Sequence, residues 1–390
     1  MKHEHSIGLE TSVFCLVAAT FTTIYITQPV LPVLQAEFGV SETMASLSIS
    51  VVVLGIALST LPFGKIADLF PLKPIILIGG TMVTACGLLC AATRSLPLLI
   101  AARFIQGLFL PSLSSCLAAY LGRSLPPHRL NVVMGCYVSA TVAGGLGGRL
   151  LGGWIHPPLH WRYAFITASI LLFIATVAAV KWLPGEESNA GKAAEDNNLG
   201  FIKLLSRYDL LRLYSVGFGS FFVFSSVFNY LPFYLAGSDF NASTRLITMM
   251  YLSYIIGVIM GPVAGNISNR FGNGPTMALG AVAFGLSLFF TLIHSIAAII
   301  LSLAGICAGF FAIHSTAVGA LNLKLSCSRG RANSLYVLFY YLGGYTGITI
   351  SGYVYVHFEW IGVVLLGAAM LMIPLGTGII EMYKAAGSGR

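Results

Sequence analysis

Long apolar stretches alternate with short polar breaks along almost the whole chain. Between the breaks lie twelve apolar runs, most of them about 20 residues long, which is the length an α-helix needs to cross a hydrocarbon core. The runs are 12–34, 44–63, 74–92, 97–121, 131–155, 162–183, 210–235, 243–267, 274–293, 297–323, 332–356 and 360–383. The pattern predicts an all-α membrane protein with twelve transmembrane helices.

One long polar segment, "PGEESNAGKAAEDNNLGFIKLLSR", separates the first six runs from the last six. It is the one stretch with the composition of an inter-domain linker. We therefore predict a six-helix bundle over 1–183, a cytoplasmic linker over 184–207 and a second six-helix bundle over 208–390.

Composition agrees with this class and adds an orientation. The chain is 57% hydrophobic and 9% charged, whereas soluble domains carry about 25% charged residues. Sixteen of the 21 lysines and arginines lie on the side of the N-terminus, three lie on the other side, and Arg103 and Arg149 lie within predicted spans. Because cytoplasmic loops are enriched in these residues, both termini are predicted to be cytoplasmic. This asymmetry explains the net charge of +8 without a nucleic-acid partner.

Several function classes lack the residues they need. The seven cysteines show no metal-ligand spacing, and no nucleotide-binding G-x-x-x-x-G-K-[ST] motif is present. A membrane enzyme would need a reactive cluster at membrane depth, and a sensor would carry a soluble effector domain. Both remain remote alternatives, and we expect neither catalytic residues nor a metal or other cofactor.

Short signatures recur in the two halves at offsets of 199 to 202 residues. "QPVLPVL" matches "NYLPFYL", "GKIADLFPLKP" matches "GNISNRFGNGP", "RLN" matches "RAN", and Trp161 matches Trp360. Their common order indicates two parallel repeats, a plan typical of transporters that rock around a site near the membrane midplane.

These signatures resemble the major facilitator superfamily. The loop after the second span is similar to the family motif G-x-L-x-D-R-x-G-R-K, although the arginine and the second glycine are replaced. "RFIQG" in the fourth span looks like the family's R-x-x-Q-G. The resemblance implies a conformational gate that clamps the two halves in the outward-facing state. Its residues would be Gly64, Asp68, Lys73, Gly265, Arg270 and Gly272.

The fifth span resembles the G-x-x-x-G-P-x-x-G-G motif of drug/proton antiporters, with Arg149 at the position of the proline. Its glycines are Gly144, Gly148, Gly152 and Gly153. Glycines at four-residue spacing allow a neighbouring helix to approach closely, so we expect a packing role for them. The resemblance implies export in exchange for protons.

Two arginines and no carboxylate lie at membrane depth, since all thirteen acids fall in loops or at helix ends. Three alternatives are open for Arg149. It could snorkel to the outer interface. It could donate hydrogen bonds, near Gln28 or Gln106, and hold the first half together. With Arg103, it could form a positive site for an anionic substrate group.

By family analogy, the first, fourth, seventh and tenth spans line the central cavity. The polar residues that could meet substrate there are Tyr25, Gln28, Arg103, Gln106, Asn229 and His314. His314 is a protonatable candidate, or a histidine bonded only to its neighbours. Because the set is polar and net positive, we expect a neutral or anionic organic substrate rather than a cationic drug.

The sequence thus predicts a secondary active transporter that exports a small organic solute by alternating access, in exchange for protons. It would be a multi-pass protein in the lipid bilayer of a bacterial inner membrane, and a monomer suffices for this fold. The alternative is an organic-anion carrier, exchanger or uptake system that uses Arg103 and Arg149.

Overall fold

The computed structural model describes residues 2–125, 127–183, 200–325 and 327–388, with the side chains of 2–7, 68, 122–124, 127–129, 131 and 385–388 left undescribed. These residues are almost all helical, and no strand occurs in the described ranges. The all-α class is confirmed. The chain divides into two compact units, Met1–Glu195 and Asp196–Arg390. The predicted linker boundary at 184 lies outside the described residues.

The first unit has eight described α-helices. They are α1 (Lys2–Ile24), α2 (Leu31–Phe38), α3 (Glu42–Leu69), α4 (Leu72–Ala92), α5 (Leu96–Leu113), α6 (Ser115–Ser124), α7 (Pro127–Ile155) and α8 (Arg162–Trp182). A single turn of 3-10 helix, Gln28–Val30, joins α1 to α2, so the first predicted span is interrupted.

The second unit has seven described α-helices. They are α9 (Phe201–Leu205), α10 (Tyr208–Ala236), α11 (Thr244–Met250), α12 (Tyr254–Phe271), α13 (Asn273–Phe290), α14 (Ile296–Leu323) and α15 (Arg329–Ser388). The last two predicted spans both lie in α15, on either side of Glu359. That residue has a non-helical conformation with φ 53° and ψ −152°.

Ten described segments are long and apolar enough to cross a membrane. One of them, Arg329–Lys384, is 56 residues long and contains the last two predicted spans. The fifth predicted span, which corresponds to α7, is not among the ten. The count of twelve spans and the cytoplasmic position of both termini stay predictions.

The second span of each unit begins with a serine cap. The Ser41 hydroxyl accepts a hydrogen bond from the Met44 backbone N–H at 3.3 Å. The Ser243 hydroxyl does the same for Leu246, also at 3.3 Å. Such a side chain satisfies one of the backbone donors that a helix start leaves open. The two caps are an equivalent feature of the repeat that the sequence signatures did not include.

A tryptophan begins the last span of each unit, in different surroundings. The Trp161 indole N–H donates to the Glu37 carboxylate, which also pairs with Arg162 at 2.5 Å and with His160 at 3.5 Å. His156 lies close by, and burial, together with the nearby His160, lowers its pKa below the usual range of histidine.

In the second unit the equivalent indole N–H donates to an uncharged side chain. The Trp360 N–H donates to the Thr291 hydroxyl at 2.8 Å, and the Tyr234 ring stacks on the indole with 4.6 Å between centroids. The tryptophan at this repeat position thus donates to an ionisable carboxylate in one unit and contacts the uncharged Thr291 and Tyr234 in the other.

Candidate functional site

The first unit has a break in its first span, caused by Pro29. Proline has no backbone N–H and so cannot continue a helical hydrogen-bond ladder. At the break the Gln28 N–H bonds to the Tyr25 carbonyl at 3.0 Å, one residue short of the α-helical acceptor. The carbonyls of Thr23 and Ile24 lie at this break, where helical partners are lacking.

Arg103 of α5 supplies donors to that break. Its guanidinium donates to the carbonyl of Thr23 at 2.7 Å and to that of Ile24. Its Nε donates to the Ser48 carbonyl of α3 at 2.8 Å. Arg103 is 0% exposed. The fixed fork of guanidinium donors therefore binds α5 to both α1 and α3.

Gln106 completes this network one turn further along α5. Its side-chain oxygen accepts from Arg103 at 2.8 Å, and its nitrogen donates to the Val83 carbonyl of α4 at 3.0 Å. The sequence analysis named both residues as candidates to meet substrate. In the structure their described hydrogen bonds hold four helices of the first unit together.

Arg149 lies on α7 and also contacts the interrupted segment of the first span. Its Nε donates to the Gln28 side-chain oxygen at 2.6 Å, and its Nη1 donates to the Gly145 carbonyl at 2.7 Å. Its guanidinium lies 4.0 Å from the centroid of the Tyr25 ring. The side chain is 3% exposed, which is not the position of a snorkelling residue. Three candidate residues of the sequence analysis therefore lie in contact.

The fifth-span glycines form a close helix contact. A Cβ at Gly144, Gly148 or Gly152 would lie within 3.0 Å of backbone atoms of the first span, in α1 or just after its end. The backbone atoms belong to Ala18, Thr22 and Ile26. Gly153 is buried in the same helix. Only glycine permits this approach of two backbones, and we call this contact the first seam.

The second unit has the same contact at equivalent positions. A Cβ at Gly343 or Gly347 of α15 would lie within 3.0 Å of the backbone of Phe218 or Phe222 in α10. These glycines follow Gly144 and Gly148 by 199 residues, and the carbonyls follow those of Ala18 and Thr22 by 200. We call this contact the second seam.

Stacked aromatic side chains join α10 to its neighbours in the second unit. Phe221 of α10 stacks on Tyr340 of α15 with 3.8 Å between ring centroids. Phe224 of α10 stacks on Phe310 of α14 at 3.9 Å. Asn229, another candidate to meet substrate, is 0% exposed in α10. These uncharged rings join α10 to α14 and α15.

His314 of α14 lies beside these rings. Its Nδ1 is 3.1 Å from the hydroxyl of Tyr336 in α15. The Phe310 ring stacks on the imidazole with 6.0 Å between centroids, and the Tyr340 centroid lies at 5.2 Å. The sequence analysis did not find Tyr336, because residues 22 positions apart on different helices leave no local signal.

The proposed gate residues lie at helix ends. Gly272 separates α12 from α13 with φ +94°, a conformation that favours glycine. In the first unit Pro71 occupies the corresponding turn with φ −58°. The Arg270 guanidinium lies 5.2 Å from the Phe271 ring centroid. Lys73 lies in the first turn of α4, Gly64 and Gly265 lie in α3 and α12, and the Asp68 side chain is outside the described part. Their gate role stays a prediction.

The described residues offer no cluster of three or more histidine, cysteine or acidic side chains that could hold a metal ion. What the described polar groups do offer is hydrogen bonding, to each other and to main-chain carbonyls.

Two relatives cover nearly the whole chain. The MFS-type transporter YybF of Bacillus subtilis is 30% identical over 361 residues, which cover 91% of this chain and 89% of the relative. The inner membrane transport protein YnfM of Escherichia coli is 30% identical over 363 residues, which cover 92% and 87%. These names indicate transporters and not enzymes, as the sequence analysis predicted.

A third similarity is shorter. The chloramphenicol resistance protein CraA of Acinetobacter baumannii is 26% identical over 165 residues, which cover 42% of this chain and 40% of the relative. The family model described as Major Facilitator Superfamily matches residues 13–323 and 235–376. Together with the repeated seams, these matches mean that this multi-pass membrane protein belongs to the major facilitator superfamily, a family of membrane transporters.

Proposed function

We propose that this protein exports a small organic solute across a bacterial inner membrane by alternating access, in exchange for protons. The observation that carries the proposal is the repeated seam. Gly144 and Gly148 in one unit, and Gly343 and Gly347 in the other, pack on backbone carbonyls at the same repeat positions. Two units with one internal design suit a carrier in which each bundle moves as a body around a shared site.

Two observations favour export. The fifth span resembles the glycine motif of drug/proton antiporters, and its glycines make the close contact that such a motif requires. One relative carries a name that refers to chloramphenicol resistance. Export of a toxic compound is the way in which a transporter confers resistance.

The charges favour a neutral substrate with an aromatic ring. No acidic residue lies in the middle of a predicted span to attract a cation. Arg103 is occupied by backbone carbonyls, and the second unit presents stacked rings such as Phe221 and Tyr340. Chloramphenicol, which is neutral and aromatic, is therefore the probe to try first.

A second candidate function is transport of organic anions. It rests on Arg149, whose buried guanidinium lies beside Tyr25 and Gln28. A substrate carboxylate could take the place of the neutral Gln28 oxygen, because charge-assisted bonds to guanidinium are stronger than neutral ones. Arg103 is a poorer candidate, because it is 0% exposed and all three of its guanidinium nitrogens donate to backbone carbonyls.

The experiment uses the purified full chain in proteoliposomes with an imposed pH gradient and a proton-sensitive dye inside. Chloramphenicol, benzoate and ethidium are added in turn as neutral, anionic and cationic probes. Wild type is compared with Arg149→Ala and with the matched control Arg94→Ala, which changes an exposed arginine of the same unit.

We expect chloramphenicol to dissipate the gradient in the wild type and in both variants. A response to benzoate alone, lost in Arg149→Ala and kept in Arg94→Ala, would replace the proposal with the anion carrier. A response to ethidium alone would contradict the substrate class. If no probe moves protons, proton exchange itself is wrong.

A further inference from the structure

His314 is built into a contact that involves three helices of the second unit. Its Nδ1 is 3.1 Å from the Tyr336 hydroxyl, and Tyr336 is 2% exposed. A Cβ at Gly217 of α10 would lie within 3.0 Å of the Tyr336 ring. The absence of a side chain at Gly217 therefore leaves room for the phenol, which holds its hydroxyl against the imidazole.

The position of His314 along its helix is also unusual. It lies 18 residues after Ile296 and 9 before Leu323, the two ends of α14, so it is about 14 Å or more from either end. Among the described residues of this unit it is the one histidine or acid placed more than two turns from a helix end or a kink. Histidine is the side chain whose ordinary pKa places its charge change between pH 5 and 8.

The groups that surround the imidazole are uncharged. From α15 these are the Tyr336 and Tyr340 phenols, and from its own helix the Phe310 ring. In the described part of the chain, no charged side chain of α10, α12, α13 or α15 lies within hydrogen-bond or ion-pair distance of His314. A proton on His314 would therefore add a full charge that no fixed counter-charge balances.

Such a proton changes the local contacts in a defined way. The neutral imidazole can accept the Tyr336 O–H at Nδ1, whereas both nitrogens of the imidazolium are donors. Protonation thus reverses the hydrogen bond, and the phenol oxygen becomes the acceptor. The new cation lies beside three aromatic rings, which attract it only weakly compared with a carboxylate. The two protonation states therefore differ in the direction of the hydrogen bond that joins α14 to α15.

We propose that His314 carries the exchanged proton, with Tyr336 as its positioning residue. This inference rests on the proton exchange proposed above. A proton enters from the side of higher acidity, binds Nδ1 in place of the Tyr336 hydrogen, and leaves to water on the other side after the conformational change. No other reactant is needed, because the imidazole is restored in each cycle.

The test is chloramphenicol transport in the same proteoliposomes, with solute flux and internal pH followed together. The variant is His314→Gln, which keeps a polar side chain and cannot carry the proton. The matched control is His294→Gln, since the His294 side chain is 67% exposed in a loop of the same unit. Size-exclusion chromatography and thermal unfolding report whether each variant folds.

We expect His314→Gln to move chloramphenicol down its gradient at the wild-type rate while the proton signal falls at least tenfold. His294→Gln should match the wild type in both readouts. Undiminished proton movement by folded His314→Gln would overturn the assignment and leave the exchange mechanism standing. No proton signal from the wild type with any probe overturns both.

A second variant keeps the proposal testable if His314→Gln does not fold. Tyr336→Phe removes the hydroxyl and keeps the ring that packs against Gly217. We expect it to retain exchange and to shift the pH midpoint of exchange by at least half a unit. An unchanged midpoint in folded Tyr336→Phe would contradict the role of this pair.

Discussion

The two units share one helix plan but stabilise their interiors differently. In the first, Arg103 and Arg149 lie against an interrupted first span. In the second, α10 runs unbroken from Tyr208 to Ala236, and the equivalents of the arginines are uncharged residues near Gly305 and Ile348.

The difference follows from one proline. At the repeat offset of 200 residues, Pro29 corresponds to Asn229. Pro29 interrupts its helix, and Arg103 donates to two carbonyls at the break. In contrast, α10 stays helical through Asn229, and the carbonyl of Phe228, four residues before Pro232, accepts from the uncharged Tyr251 hydroxyl at 3.0 Å. A charged residue in a membrane span is therefore understandable as the partner of a backbone defect. In the repeat the helix continues past its proline with a tyrosine hydroxyl as donor, and the positions equivalent to the two arginines are uncharged.

The largest expected effect comes from Arg103→Leu. The change leaves three backbone carbonyls without this donor, and a buried polar group without a partner costs about 1–3 kcal/mol. We expect a loss of several kcal/mol and little folded protein, measured by thermal unfolding in detergent. Arg94→Ala, at an exposed arginine of the same unit, should match the wild type.

The double variant Pro29→Ala/Arg103→Leu sharpens this prediction. Without this proline the first span regains a backbone N–H at position 29 and can continue as a helix there, as α10 does at Asn229, so at least half of the lost stability should return. A double variant no more stable than Arg103→Leu would show that the proline is not the reason for the arginine.

The next effect tests whether the two seams are equivalent. Gly148→Ala and Gly347→Ala each place a methyl group within 3.0 Å of a backbone carbonyl, and such overpacking costs about 1–3 kcal/mol. We expect similar falls in thermal stability. Gly261→Ala is the control, because no atom lies within 4 Å of its added Cβ. A fall in the thermal stability of only one of the two variants would mean that the two seams contribute unequally to stability.

The packing role expected for the fifth-span glycines rests on a local signal, because glycines at four-residue spacing on one helix allow a neighbouring helix to approach closely. The sequence analysis identified neither the partner helix nor the second seam. The long apolar spans were predicted for the same reason, because length and hydropathy are local properties.

The partners of the buried polar groups were not predictable in the same way. Nothing in "RFIQG" shows that Arg103 binds the carbonyls of Thr23 and Ile24, since backbone acceptors carry no residue signature. Pro29 was the available signal, because a proline within a span indicates that the helical hydrogen bonds of the turn before it are interrupted. The break at Glu359 was approximated only by the polar residues between the two predicted spans.

A smaller effect should come from the aromatic interior of the second unit. Tyr340→Leu removes the stack on Phe221, and an aromatic pair contributes about 0.5–1.5 kcal/mol beyond its buried area. Tyr340→Phe keeps the ring and should be close to the wild type. Thermal unfolding of both variants measures the difference, and equal stability of the two would show that the stack contributes nothing.

The smallest expected effect is on the pH dependence of stability, through His156 near Trp161 in the first unit. Burial lowers the pKa of His156 in the folded protein, so the folded state binds this proton less well than the unfolded state. His156 therefore contributes no penalty above the unfolded pKa of about 6.5, and stability falls as pH drops below it. Between pH 7.5 and 5.0 the midpoint of thermal unfolding should fall further for the wild type than for His156→Gln.

The control for this prediction lies in the other unit. His294→Gln, at an exposed loop position, should lose as much stability with acid as the wild type does. If His156→Gln loses as much thermal stability between pH 7.5 and 5.0 as the wild type does, His156 does not contribute to the acid sensitivity of the protein.

The acceptors and the donor of the Arg103 hydrogen bonds are also synthesised in a fixed order. The ribosome makes the acceptors at Thr23 and Ser48 before it makes their donor, which follows them by 80 and 55 residues. Arg149 likewise follows Gln28 by 121 residues. At a synthesis rate of about 5–20 residues per second, several seconds pass between the synthesis of the interrupted first span and that of Arg103. Each cation thus enters the membrane after the first-span groups that accept its hydrogen bonds, Thr23 and Ile24 for Arg103 and Gln28 for Arg149, have been synthesised.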